Sequence, residues 1–342
     1  MEQNKKYIRL DEVTLMRSVL ALLIVFMHAF TCYQGAWEQP EGYIDIPAYK
    51  WIARISFAFT LEAFVFFSGY LFAFQRITLN RTGGYFLSKS KRLLLPSIVF
   101  SIFYFTFFYN YRGIGNFIYG IINGCGHLWF LPMLFWCYIG GWLLAQIKIG
   151  DGWIFFFLLC LYLFWPIPLP FQLSVAANFI VYFYGGYIVY KQSEQIRVLI
   201  KPWRIAICWL AFVVAFVIFR PLKETLEIGD PEKEIFRMIT LSARDLCRLI
   251  YASIGIISFY ITAVWYTQNR KLGSFSVKFA SCCFGIYLFQ EFILKMLYYK
   301  TGIPSLVGPY ILPWLSFTFA LPISWYLTVL TLKTKIGKSL MG

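Results

Sequence analysis

"RSVLALLIVFMH" (Arg17–His28) sets ten uncharged residues between a guanidinium and an imidazole, in a chain of 342 residues with only two histidines. Extended in both directions, the apolar run fills residues 12–32, and a segment of roughly 20 such residues crosses about 30 Å of hydrocarbon as a helix. The rest of the chain repeats the pattern. Hydrophobic residues make up 60% of it, aromatics 21% and charged residues 14%, where soluble proteins carry about a quarter charged. A soluble globular protein is thereby excluded.

Reading apolar runs against polar breaks predicts spans near residues 12–32, 51–74, 92–110, 127–147, 152–166, 174–190, 203–220, 244–266, 280–298 and 309–331. The expected fold is an all-α, polytopic transmembrane helical bundle of about ten spans, one integral-membrane domain over residues 1–342 with no appended soluble domain. The fifth span is short, and "GIGNFIYGIING" (113–124) is too short to cross, so it is expected along the outer interface. Lys5, Lys6 and Arg9 precede the first span as in a signal peptide, but Asp11, Glu12 and Arg17 interrupt the apolar run, which argues for a retained span.

A net charge of +15 raises nucleic acid as a partner, and the placement of the charge answers it. With the N-terminus inside, Arg76, Arg81, Lys89, Lys91 and Arg92, then Lys191, Arg197, Lys201 and Arg204, then Arg270, Lys271 and Lys278 all fall on cytoplasmic loops. The opposite loops carry Glu38, Glu41 and Asp45, then Glu224, Glu227, Asp230 and Glu232. This is the positive-inside bias of a membrane protein with both termini cytoplasmic, and no nucleic acid is implied. The eight cysteines fall mostly within apolar runs without paired C-x-x-C spacing, so packing is the reading and no metal site is expected.

Six positions could carry chemistry. Arg17 and His28 are eleven residues apart; at ~100° and ~1.5 Å per residue they share one helix face about 16 Å apart in depth. An arginine within a span needs an ion pair, with Asp11 or Glu12 as the local candidates, or a cavity that holds water or an anion. His127 opens "HLWFLPMLFW" behind Gly124 and Gly126, on the same side of the membrane as His28, and an imidazole there suits general-base work. Glu62 in "FTLEAFVFFSGYLF" is a buried carboxylate that is either paired, with Arg54 as the candidate, or engaged in handling protons or orienting an imidazole. Lys89 and Arg92 in "FLSKSKRLLLP" stand at the cytoplasmic mouth of the third span, as topology signals or as phosphate ligands.

Taken together, these segments resemble the acyltransferase-3 family of bacterial integral-membrane acyltransferases. The resemblance rests on Arg17 and His28 as the Arg-x10-His pair, "FFSGYLF" (66–72), Lys89, Arg92 and Pro96 in "KSKRLLLP", "HLWFLP" (127–132), "YFYGGYIV" (182–189) and "FGIYLFQ" (284–290), in order along nearly the whole chain. It implies transfer of an acyl group, usually acetyl, from cytoplasmic acyl-CoA to a hydroxyl of a cell-surface or lipid-linked glycan, in the bacterial inner membrane. By the same likeness His28 is the essential imidazole, Arg17 its partner, and Lys89 and Arg92, with Arg17, lie on the path of the donor's phosphates. Two positions depart from the family pattern: Gln290 stands where relatives often have histidine, and Glu62 where many have proline or an uncharged residue. Some relatives carry an extracytoplasmic domain that completes the transfer; since this chain ends at Gly342, the expectation is action alone or with a separate extracytoplasmic partner. The competing reading is a non-enzymatic exporter or flippase of lipid-linked sugars. Against it stands the lack of internal repeat symmetry.

Overall fold

The computed structural model describes residues 10–75, 82–108, 113–164, 168–226 and 234–341, all helical or connecting. Arg76, Arg81, Glu227, Asp230 and Glu232, which entered the charge reading, lie outside the described residues. The helices are α1 (Asp11–Ala29), α2 (Pro47–Phe57), α3 (Thr60–Gln75), α4 (Thr82–Phe108), α5 (Ile114–Asn123), α6 (Phe130–Gln146), α7 (Asp151–Phe164), α8 (Leu173–Lys191), α9 (Ser193–Leu199), α10 (Pro202–Leu226), α11 (Glu234–Asn269), α12 (Ser274–Tyr299), α13 (Ile303–Leu332) and α14 (Lys335–Met341).

Among the described residues nine helical stretches are long and apolar enough to cross a membrane, with α2 and α3 counted as one, broken at Ala58 and Phe59. The predicted fifth span is the exception. α7 has 14 residues, about 21 Å at ~1.5 Å per residue, yet it still joins the two faces. At its start Asp151 accepts hydrogen bonds from Tyr184 and Lys191 at the end of α8. At the far side the start of α8 lies beside α5, where the Gln172 amide donates to the Asn123 carbonyl. With α7 counted, the described residues make ten passes between the two faces, and Leu10 and Met341 end on the same one. Ser242 Oγ of the 36-residue α11 donates to the Leu163 carbonyl (2.6 Å), which satisfies one of the carbonyls the last turn of α7 leaves open.

α1 is the central staff. It packs against α11, α12 and α13, and Met16, Leu20, Ile24, Val25 and Met27 are all but inaccessible. By contrast, α10 and α13 turn Leu210, Val217, Phe319 and Tyr326 outward, as helices facing hydrocarbon do. The motifs "FFSGYLF" and "YFYGGYIV" meet where α3 crosses α8. A Cβ on Gly69 would lie 1.8 Å from the Phe183 carbonyl oxygen and one on Gly186 1.9 Å from that of Phe66, so the two backbones touch through reciprocal glycines.

Candidate active site

The two histidines, 99 residues apart in sequence, come together with ring centroids 5.9 Å apart. His28 ends α1; His127 lies in a 3-10 turn, Gly126–Trp129, just before α6. Two glycines make that turn. Gly124 has φ +80° and Gly126 φ +54°, and a Cβ on Gly126 would stand 2.7 Å from Glu291 Oε1, so only glycine lets the turn close on the carboxylate. Ser101 of α4 steadies it by accepting from the Cys125 N–H (3.0 Å).

Glu291 of α12 is the centre of the cluster. Its Oε2 lies 3.0 Å from His127 Nδ1 and 3.7 Å from His28 Nε2, and its Oε1 lies 3.1 Å from Lys295 Nζ one turn further on. The side chains of Glu291, His127, His28 and Lys295 are 2, 4, 10 and 11% exposed. Neither Glu291 nor Lys295 was singled out from sequence. Their signal is present in "FQEFILKM" (289–296), where two ionisable residues interrupt an apolar span at i,i+4.

The two imidazoles are held differently. His127 faces an acceptor on both sides: Glu291 Oε2 at Nδ1 and the Tyr287 carbonyl at Nε2 (2.8 Å). Both ring nitrogens are thereby engaged, and the ring is fixed in orientation. Tyr287 closes the clasp by donating its hydroxyl to the His127 carbonyl (2.6 Å). His28 makes one hydrogen bond, between Nδ1 and the Gln290 amide nitrogen at 2.9 Å, and its Nε2 is too far from Glu291 for another. Gln290 Oε1 is buried without a partner among the described residues. Turning the amide about would therefore set a carbonyl against Nδ1–H at the loss of one bond and the gain of another, and would leave a lone pair on Nε2. The glutamine that stands in place of a second histidine can thus serve either tautomer of His28.

His28, His127, Glu291 and Lys295 line a cavity of about 290 Å³ with Trp37 over the His28 ring, the two planes within 6° of parallel. A second cavity of about 180 Å³ opens toward the other face, lined by Arg17, Gln75, Lys89 and Arg92 at its rim and by Leu20, Phe67, Leu131 and Phe284 further in. Ile24, Phe130 and Tyr287 line both, so the two hollows are back to back across a wall one side chain thick.

The structure unites His28 and His127 at one cavity and Arg17, Lys89 and Arg92 at the other. Among the described residues these three cations form no ion pair; Lys89 instead lies over the rings of Tyr138 (4.0 Å) and Tyr85 (5.1 Å). Of the two local candidates for Arg17, Asp11 and Glu12, Glu12 is engaged elsewhere: it binds Arg197 (2.5 Å) and accepts from the Tyr70 hydroxyl (3.2 Å). Glu62 lines neither cavity. Its partner is Arg248 of α11, at 2.6 Å, and the expected partner Arg54 pairs with Glu224 at 2.8 Å; α2 and α3 are separate helices, so Arg54 and Glu62 do not share a face. Among the described residues no group of three or more histidine, cysteine, aspartate or glutamate side chains is arranged to hold a metal ion.

A family model described as an acyltransferase domain, that of the acyltransferase-3 family, matches residues 10–333. No curated protein and no solved structure matches the chain. A match from α1 to the end of α13 takes in every side chain of both cavities named above, and the chain is a multi-pass membrane protein that belongs to the acyltransferase-3 family.

Proposed function

We propose that the protein moves an acyl group, acetyl in the simplest case, from cytoplasmic acyl-CoA to a hydroxyl of a cell-surface or lipid-linked glycan, in the bacterial cytoplasmic membrane. One observation carries this reading: two hollows meet at Ile24, Phe130 and Tyr287, one rimmed by three uncompensated cations and the other lined by an imidazole with a free nitrogen. Arginine and lysine without carboxylate partners suit the phosphates of coenzyme A. The apolar depth of the same cleft suits the pantetheine arm, which would bring the thioester to the wall.

On the other side His28 Nε2 takes the proton of the acceptor hydroxyl as its oxygen attacks the thioester carbonyl. The tetrahedral oxyanion forms near the Lys295 ammonium, a fixed charge in a buried site where such stabilisation is strong. Collapse breaks the carbon–sulfur bond. The ester stays with the glycan, and His28 returns the proton to the departing sulfur, so that coenzyme A leaves as the free thiol and the imidazole is neutral again. Glu291 holds Lys295 and His127 in place without taking part in the transfer.

Purified protein in lipid nanodiscs, given acyl-CoA and an envelope glycan extract, is expected to release free thiol and to leave an alkali-labile ester on the glycan. A protein that moves lipid-linked sugar across a vesicle membrane without consuming any acyl-CoA would replace this reading with the exporter or flippase alternative.

A further inference from the structure

A third hollow, of about 360 Å³, lies behind the reaction cavity and is assigned no part in the scheme above. The segment after His28 separates the two. Thr31, Ala36 and Trp37 face the reaction cavity, whereas Cys32, Tyr33, Gln34, Gly35 and Gln39 face this cleft. Its volume falls within the range of ligand pockets, about 300–1,000 Å³. The lining is polar and mixed in sign: Arg54 and Arg220 hold Glu224 at 2.8 and 3.1 Å, and Lys50 holds Asp45 at 2.6 Å. Gln34, Gln39 and Arg220 add side chains with N–H donors to its wall. Tyr33 and Tyr43 add two rings with centroids 5.2 Å apart.

A simple anion would meet Asp45 and Glu224 as well as the cations, and an apolar ligand would strip water from the charged lining without replacing its hydrogen bonds. A sugar ring offers hydroxyls that both donate and accept, together with C–H faces that lie against aromatic rings. We infer that this cleft binds a sugar residue of the acceptor next to the one acylated, and so sets which hydroxyl crosses the 31–39 segment to reach His28. The inference rests on the acyltransferase reading and adds where the glycan is gripped.

The test uses full-length protein in nanodiscs, [14C]acetyl-CoA, and the envelope polysaccharide of the cells that make the protein, titrated as acceptor. In Gln34→Ala and, separately, Arg220→Gln, the KM for polysaccharide should rise about tenfold while kcat at saturation is kept, since each change alters a polar side chain of the cleft wall that meets the ground-state ligand. Tyr43→Ala, which touches no ion pair, is the third variant and is expected to behave alike. An unchanged polysaccharide KM in all three, or a fall in kcat alone, overturns the cleft as a sugar site. Label appearing in the lipid fraction and never on polysaccharide overturns the ligand class. Wild-type protein that releases no thiol from acetyl-CoA at all defeats the acyltransferase reading, an outcome distinct from the other two.

Discussion

Glu62 and Glu291, buried in membrane-spanning helices at 0% and 2% exposure, do opposite things. Glu62 meets one cation, Arg248, away from both back-to-back cavities. Glu291 meets an ammonium and an imidazole, with a second imidazole 3.7 Å away, on the wall of a hollow. A buried carboxylate with a single partner is a tie between helices, here α3 and α11. One that gathers an ammonium and two imidazoles beside open space orders several polar groups toward a substrate. Burial alone does not separate the two; the neighbouring space and the number of partners do.

The contrast can be broken by mutation. The largest effect should come from His28→Ala, because a positioned general base contributes about 10²- to 10⁴-fold to rate. Transfer should fall by that order while the KM for acyl-CoA holds; loss of donor binding instead would move His28 to the donor side. Next comes Glu291→Gln, which keeps the shape and removes the charge that holds Lys295 and His127. Here kcat should fall about a hundredfold, on the scale of losing one preorganised charged contact, with the fold intact by gel filtration.

Arg92→Gln should raise the KM for acyl-CoA about tenfold, equivalent to a charge-assisted bond of roughly 1.5 kcal/mol, and leave kcat nearly alone. If kcat falls and KM does not, the cationic rim serves the chemistry and not the donor. The smallest change in rate belongs to Glu62→Gln. That variant should lose about 2 kcal/mol of stability, less than the ~3–5 kcal/mol of a fully enclosed pair because the Arg248 guanidinium keeps some solvent, and a lower Tm would report it. Turnover per folded molecule should stay within about twofold. A Glu62→Gln protein that is stable but inactive would erase the distinction between the two carboxylates.

Spans and the alignment of Arg17 with His28 were legible because period and length are local properties of the sequence. Lys89 and Arg92 were legible for the same reason, being a dense basic cluster at a span's mouth. The pairing of His28 with His127 was readable only as shared depth. Their actual meeting depends on Gly124 and Gly126 bending a turn toward α12, a tertiary fact no local pattern encodes. Arg54 was expected beside Glu62 because it is near in sequence, and the break at Ala58 and Phe59 defeats that expectation. Glu291 and Lys295 were readable in principle as charges in an apolar span, but "FGIYLFQ" stops one residue short of them. The glycines of the "FFSGYLF" and "YFYGGYIV" motifs were legible as family marks, and the α3–α8 crossing gives them a packing reason.

The brevity of α7 reaches beyond the protein itself. Its 14 residues cover about 21 Å of a hydrocarbon layer ~30 Å thick, a hydrophobic mismatch that the surrounding lipid must absorb by compressing on that flank, at fractions of a kcal/mol per Å. Longer acyl chains make the compression harder, and the ring of annular lipid beside α7 then works against the position of α8 and α11, between which it is packed. The thickness of the host bilayer thereby becomes a quantity the enzyme senses, and its stability should vary with the chain length of the lipid around it even where no lipid is a substrate.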